Sequence, residues 1–217
     1  MRRITEALLL TLVLACVLLS AGAPAANVIA IKSSPPEALR LSVKVEGEQY
    51  CTGDSELDGL RLKARLVYTN HGKEKLILYK GSTTISRLMI SRTLADAAAK
   101  RFEVDSSITS ATSGGEKCYR GRVPSTCFVS LQPNASYEVE TTIRLFVVRG
   151  DAREITGAVM SGDHVLQVEV PTWHESDELA VQVARRWQQN GTLWSTPVTS
   201  EPLLFTVKKE HQAVDCP

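Results

Sequence analysis

From position 57 to 69 apolar and polar residues alternate. Leu60, Leu62, Ala64, Leu66 and Tyr68 fall on one face, and Arg61, Lys63, Arg65 and Thr69 on the other. A period of two is the signature of a half-buried strand. Asn70-His71-Gly72 follows, residues that tolerate positive φ where a chain reverses, and Leu76-Ile77-Leu78-Tyr79 resumes as a more fully buried strand. Residues 57–81 therefore predict a hairpin around which the rest is organised. Similar alternation predicts a first strand through Leu39, Leu41, Val43 and Val45 that ends at Gly47. It predicts a second long strand in which Tyr137, Val139, Thr141, Ile143, Leu145 and Val147 face one way and Glu138, Glu140, Thr142 and Arg144 the other. Shorter strands are expected over 164–170 and 203–207, and one of mixed period over 84–94. The alanine-rich 95–101 suits a single helical turn, with Phe102 and Val104 returning to the sheet.

Two stretches break the pattern. Residues 105–117 are Ser, Thr, Gly and charge with one isoleucine, too little apolar surface to offset the entropy of ordering, so a mobile loop is expected over 105–126. Over about 175–189 the period changes. Thr172-Trp173-His174-Glu175 offers a capping box, Asp177 and Glu178 occupy the first turn, and Leu179, Ala180, Val183, Ala184 and Trp187 form one stripe. Arg185 and Arg186 sit in the last turn before Asn190-Gly191, so caps, dipole charges and stripe agree on a helix.

The N-terminus changes the compartment. Arg2 and Arg3 precede an apolar run over 7–20, and Ala23-Pro24-Ala25 follows, which predicts a secretory signal peptide over 1–25. The run is too short for a comfortable span, and the mature chain holds no other run near the ~20 residues that one needs. Val13-Leu14-Ala15-Cys16 loosely matches the box before a lipid-modified cysteine, but Leu14 replaces the usual small residue and Val17-Leu18-Leu19 keeps the run apolar past Cys16, so lipid anchoring at Cys16 is the less favoured reading. A flexible lead-in over 26–38, with Ser33-Ser34-Pro35-Pro36, then precedes a single domain over 39–217.

Export fits the cysteines. With Cys16 in the leader, Cys51, Cys118, Cys127 and Cys216 remain, enough for two bridges among three connectivities. Cys118 and Cys127 are close in sequence around Gly121 and Pro124, which suits a locally bridged loop. Cys51 then pairs with Cys216 by elimination. A second reason is that the first and last strands of many sandwiches lie side by side in parallel, and each of these cysteines follows such a strand. Removal of the leader takes away Arg2, Arg3 and Glu6 and leaves no net charge, so no basic excess points to nucleic acid.

Many short strands, one late helix and two bridges predict a mainly β chain, an immunoglobulin-like Greek-key β-sandwich with one late inserted α-helix and two disulfides. Leu131-Gln132-Pro133-Asn134-Ala135-Ser136-Tyr137-Glu138-Val139 resembles the Leu-x-Pro-x-x-x-Tyr turn of fibronectin type III domains. Leu66-Val67-Tyr68-Thr69-Asn70-His71-Gly72 to Leu78 resembles the strand-Asn-turn-strand of bacterial immunoglobulin-like modules, including those related to intracellular proteinase inhibitors. The early tryptophan of fibronectin type III is missing, since all three tryptophans lie between 173 and 194. The resemblance implies an architecture and no functional residues.

Candidate chemistry is sparse. Trp173 and Trp194 flank the predicted helix, and packing into the core is the favoured reading for them; if at least one is exposed they are the candidate ligand-binding pair, because exposed aromatics in loops hold sugars or protein partners, while Trp187 continues the stripe into the core. Arg61, Lys63 and Arg65 form a basic stripe that suits an anionic partner, or else ordinary cross-strand pairs if Glu138 and Glu140 lie opposite. His71, His164, His174 and His211 show no metal-ligand spacing. Gly53-Asp54-Ser55-Glu56-Leu57 matches an esterase block only with Glu56 interrupting it. Arg149-Gly150-Asp151 spells an integrin tripeptide where turn chemistry alone favours Gly and Asp. Asn134 and Asn190 are glycosylation acceptors in a eukaryotic host.

No nucleophile, base or metal constellation stands out, and nothing calls for a cofactor. The expectation is a secreted or periplasmic, non-enzymatic module that recognises a protein or glycan. The alternatives are a structural or accessory envelope component that docks through an edge strand, and a protease inhibitor-like domain presenting Tyr119, Arg120 or Arg122 from the 118–127 loop.

Overall fold

In a computed structural model of the chain, residues 37–53, 56–80, 85–107, 127–150, 153–171, 185–187 and 189–216 are described. They belong to one compact unit, residues 32–217. The predicted signal peptide, nearly all of the lead-in, loop residues 108–126 and most of the predicted late helix lie outside the described residues; of that helix, residues 185–187 are described and are helical. The elements are β1 (Leu39–Cys51), β2 (Leu57–Asn70), β3 (Leu76–Tyr79), β4 (Arg87–Ser91), α1 (Leu94–Ala98), β5 (Val104–Ser107), β6 (Phe128–Leu131), β7 (Ser136–Val148), β8 (Ala158–Val159), β9 (Gly162–Val170), β10 (Thr192–Leu193), β11 (Val198–Thr199) and β12 (Leu203–Val207).

The protein is mainly β and builds several sheets on one core. In the first, β2 lies between β1 and β7, antiparallel to both, and β8 adds in parallel beside β7. The alternation of β2 explains its central place. Leu60, Leu62, Ala64, Leu66 and Tyr68 are all buried, opposite Leu145, Ile143, Thr141, Val139 and Tyr137 of β7. In a second sheet β3 sits between β6, antiparallel, and β10, parallel. In a third, β9 pairs with β4 on one side, with β5 beyond, while β11 and β12 follow one another along its other side. A single buried cluster draws Leu62 and Ile143 from the first sheet, Leu78 and Leu131 from the second, and Ile90, Leu166 and Val207 from the third.

The structure departs from the sequence expectations at several points. The stretch 57–81 is not a hairpin, because β3 leaves the sheet of β2 for another. Asn70 makes the crossing: its fully buried side chain donates to the carbonyls of Glu74 (2.8 Å) and Leu131 (2.9 Å) and accepts from the Gly72 amide (2.8 Å). A buried amide with these three partners saves a sharp turn from leaving backbone groups unpaired.

The first strand does not stop at Gly47. A bulge between Val45 and Gly47 carries it on to Cys51 and resets its register, so Tyr50 faces Leu60 on the core side and Cys51 faces Gly59 on the outer side. Asp105, Ser106 and Ser107, expected in the loop, form β5, an edge strand pinned by a bidentate pair from Arg87 to Asp105 (2.7 Å for both bonds).

Cys51 and Cys216 are bridged, as expected, across 165 positions. The strand argument for that pairing needs correction. The last strand, β12, pairs with β9 and not with β1; only isolated parallel bridges, Leu41 to Ser200 and Cys51 to Val214, lay the chain along β1 before and after β12.

Candidate functional site

The bridged end of the first sheet gathers most of the described chemistry. On its core side the reset register places Tyr50 next to Leu60, and Asp58 opposite Val147, two residues short of Arg149. Asp58 is only 3% exposed, the one buried charge in β2, whose core face is otherwise apolar up to Asn70 at its far end. It accepts from Arg149 Nε (3.1 Å) and Nη2 (2.5 Å), from His211 Nε2 (3.0 Å) and from the Gly53 amide (3.3 Å). The Arg149 guanidinium, with help from His211 and Gly53, outweighs burial and holds the Asp58 carboxyl down at about 2. A carboxylate so fully engaged is a structural anion and a poor proton acceptor.

The C-terminal segment closes over it. His211 stacks on Tyr50 (3.9 Å between centroids, 19° between planes), and its two ring nitrogens face two acceptors, the Lys208 carbonyl (3.0 Å) and Asp58. Tyr50 Oη accepts from the Lys208 amide (2.9 Å), and burial pushes its pKa up. Lys208 Nζ pairs with Glu48. The Thr52 amide donates to Val214 (2.9 Å) and the Val214 amide to Tyr50 (3.1 Å), after which Cys216 locks onto Cys51. An open cleft of about 460 Å³ remains beside this clasp, lined by Glu48, Tyr50, Lys208, Glu210, His211 and Val214 among others. Among the described residues no serine, threonine or cysteine lines it. The cluster holds a tail in place; it aims no nucleophile at the cleft.

The outer side of the same sheet divides into two halves. Toward Asn70, Arg65 lies opposite Lys44 and Glu140 and pairs with Glu46 (2.7 Å), Glu138 (2.9 Å) and Glu140 (3.5 Å). These are the cross-strand pairs that the sequence allowed. Toward the bridge the pairing is of like charges. Arg61 stands opposite Arg144, and Arg144 is exposed with no ion-pair partner among the described residues. In the next row Cys51, Gly59 and Phe146 lie side by side, and Phe146 is 64% exposed. Lys63, one row inward from Arg61, reaches Glu46 only at 3.9 Å and is 64% exposed.

The residues singled out from the sequence fall elsewhere. Trp194, one of the candidate ligand-binding pair, is 2% exposed and belongs to the core. Its backbone follows β10 onto β3, donating to Ile77 (2.9 Å), and its indole N–H reaches the Thr196 carbonyl (2.6 Å), so burial leaves no donor unpaired. Trp173 lies outside the described residues. Trp187 packs on Phe128 (5.3 Å between centroids). Cys127 is buried, while Cys118 and the loop with Tyr119, Arg120 and Arg122 lie outside the described residues. Asn134, at φ 64°, and Asn190 both sit exposed at turns. Arg149 of the tripeptide is committed to Asp58, and Asp151 lies outside the described residues. His164 is buried against the Met160 carbonyl (2.8 Å) and Glu103 (3.2 Å), and no group of three metal-ligating side chains occurs among the described residues. Among the described residues no helix is long and apolar enough to cross a membrane.

Sequence reasoning missed Asp58, Tyr50, His211 and Phe146. Two of these carried a signal. Asp58 is a charge in the apolar series of β2, and Phe146 is an aromatic in the polar series Glu138, Glu140, Thr142, Arg144.

No family model and no curated protein matches the chain. A solved structure, described as the X-ray structure of Northeast Structural Genomics Consortium target SoR45, is similar over 80% of this chain and 90% of that chain, with 11% identity and a TM-score of 0.39. A likeness that slight does not place the chain in a family.

Proposed function

We propose that the chain is a secreted, non-enzymatic recognition module, an immunoglobulin-like β-sandwich with bridges at Cys51–Cys216 and Cys118–Cys127, and that it meets its partner through the bridged half of the outer sheet face. One observation carries the reading. On a face where Arg65 is surrounded by carboxylates, Arg61 and Arg144 stand directly opposed beside an aromatic ring that is 64% exposed. Arg144 is exposed with no ion-pair partner among the described residues, and an exposed phenylalanine gains nothing for the fold, so the two together form a surface suited to a partner. The signal-peptide pattern, together with a bridge that suits an oxidising compartment, supports export.

The test uses the exported chain as bait against its host's envelope and secreted fractions, beside a Phe146→Ser/Arg144→Gln variant whose fold is checked by circular dichroism. A component held by the parent and lost by the variant is the expected result. Equal retention by both would remove this face from recognition.

A further inference from the structure

We infer that two copies of this chain join edge to edge through β7, antiparallel about Thr141, so that Glu138 of each copy faces Arg144 of the other. The surface is the open edge of the first sheet, so the inference stands apart from the recognition reading above, which concerns the outer face of the bridged end.

The ladder leaves that edge open. β2 occupies one side of β7 from Ser136 to Val148 without a shift in register. On the other side β8 pairs only with Phe146 and Val147, and no further strand joins β7 among the described residues. The parity of the backbone says which groups are left over. Just beyond one end of β7 the Arg149 amide donates to the Glu56 carbonyl, and just beyond the other the Ala135 carbonyl accepts from the Asn70 amide. Odd-numbered residues of β7 therefore turn their amides and carbonyls toward β2, and Glu138, Glu140, Thr142 and Arg144 turn theirs away from it. All four of these residues are exposed, and between them the core-facing Val139 and Thr141 are only half-buried.

An open edge is a template for another strand, and the residues of this one select its own copy. In a pair that keeps the backbone parity, even-numbered residues stand opposite even-numbered residues and exchange both hydrogen bonds. With a twofold axis at Thr141, Glu138 stands opposite Arg144 and Glu140 opposite Thr142, once on each side of the axis, and the stretch 138–144 is paired from end to end. Beneath them Val139 meets Ile143, which extends the core face across the axis. Arg144 has no ion-pair partner among the described residues of its own chain and gains one. Glu138, one of three carboxylates that share Arg65, gains a second cation.

The neighbouring symmetric registers fit less well. An axis at Glu140 sets that carboxylate against its own copy. An axis at Thr142 sets Glu138 opposite Phe146, whose outward edge β8 already holds. A paired stretch this short covers less than the roughly 800 Å² per partner of a standard interface, so the chain is monomeric in dilute solution and pairs as concentration rises.

Sedimentation equilibrium of the exported, bridged chain from about 1 to 500 μM tests the inference, with a monomer–dimer equilibrium as the expected result. Thr142→Pro removes an amide that faces the open edge and none that bonds to β2, so it should keep the fold, checked by circular dichroism, and abolish the dimer. Arg144→Glu and Glu138→Arg each set like charges opposite one another in the pair, and each alone should weaken association roughly tenfold. Mixed in equal amounts, the two folded variants restore both ion pairs and should associate with one another as the parent does with itself. A chain that stays monomeric throughout, a dimer that survives Thr142→Pro, or a mixture that associates no better than its components would each overturn the inference. Thr142→Pro keeps Arg144 and Phe146 in place, so loss of the dimer and loss of the envelope component are told apart on that variant.

Discussion

Two halves of one sheet face handle charge in opposite ways. Near Asn70, Arg65 has Lys44 opposite it on β1 but three carboxylates, Glu46, Glu138 and Glu140, within ion-pair reach. Near the bridge, Arg61 meets Arg144, and the following row ends in an exposed Phe146. The underlying core is continuous across both halves, but β1 bulges between Val45 and Gly47 where they meet, and the bulge residue Glu46 is one of the partners of Arg65. The lesson is that the first half is arranged for folding, whereas the second exposes Arg144 and Phe146 and stands beside reinforcement of its own. That reinforcement is visible at the same end: Asp58 engaged by Arg149 and His211 on the core side, and the C-terminal segment clamped by Cys51–Cys216.

If the bridged end needs its clamp, removing the clamp should have the largest effect. A Cys51→Ser/Cys216→Ser chain loses a covalent closure across 165 positions and should lose on the order of 2–5 kcal/mol in urea unfolding. Next comes Asp58→Asn. The Asp58 carboxyl sits at about 2 when folded against roughly 3.9 when unfolded, so it contributes about 2 kcal/mol that is fully present above the unfolded value and lost as pH falls toward 2. The substitution should remove that contribution at pH 7 and flatten the decline in stability between about pH 5 and 2, measured by urea midpoints across that range.

Smaller effects separate the two halves by sign. Arg65→Gln leaves three carboxylates facing one another and should lower the thermal midpoint slightly, more at low salt than at high. Arg144→Glu places a carboxylate opposite Arg61 and should leave the midpoint unchanged or raise it slightly. A substitution that improves the fold while removing function is the trade-off expected of a binding surface.

Much of this could be read from the residues, and the remainder has identifiable physical causes. β2, β7 and β12 follow their alternation closely, because burial on one face imposes a period of two whatever the strand's partners are, and β3 is buried on both faces as its unbroken apolar run predicts. The partners themselves are non-local. Nothing in Leu76-Ile77-Leu78-Tyr79 says that it pairs with β6 and β10, and Asn70 reads as a turn residue whether its amide is exposed or, as here, buried against Leu131. Gly47 looked like a stop because a bulge and a strand end look alike in sequence. Asp105-Ser106-Ser107 looked like loop because an edge strand held by Arg87 needs little apolar surface.

The candidate site was legible only as two broken alternations. Asp58 interrupts an apolar series and Phe146 a polar one, but their meaning depends on which strands lie alongside. The sequence left Trp194 open between packing and binding for the same reason, since its burial accompanies the parallel pairing of β10 with β3.

Arg144→Glu offers the most direct test when two readings are taken on the same preparation, the thermal midpoint and the retention of the envelope component bound by the parent. A midpoint equal to or above the parent's, with retention lost, is the predicted result. A midpoint that falls as it does for Arg65→Gln, with retention intact, would mean that Arg144 serves the fold like its counterparts in the other half, and would contradict the account.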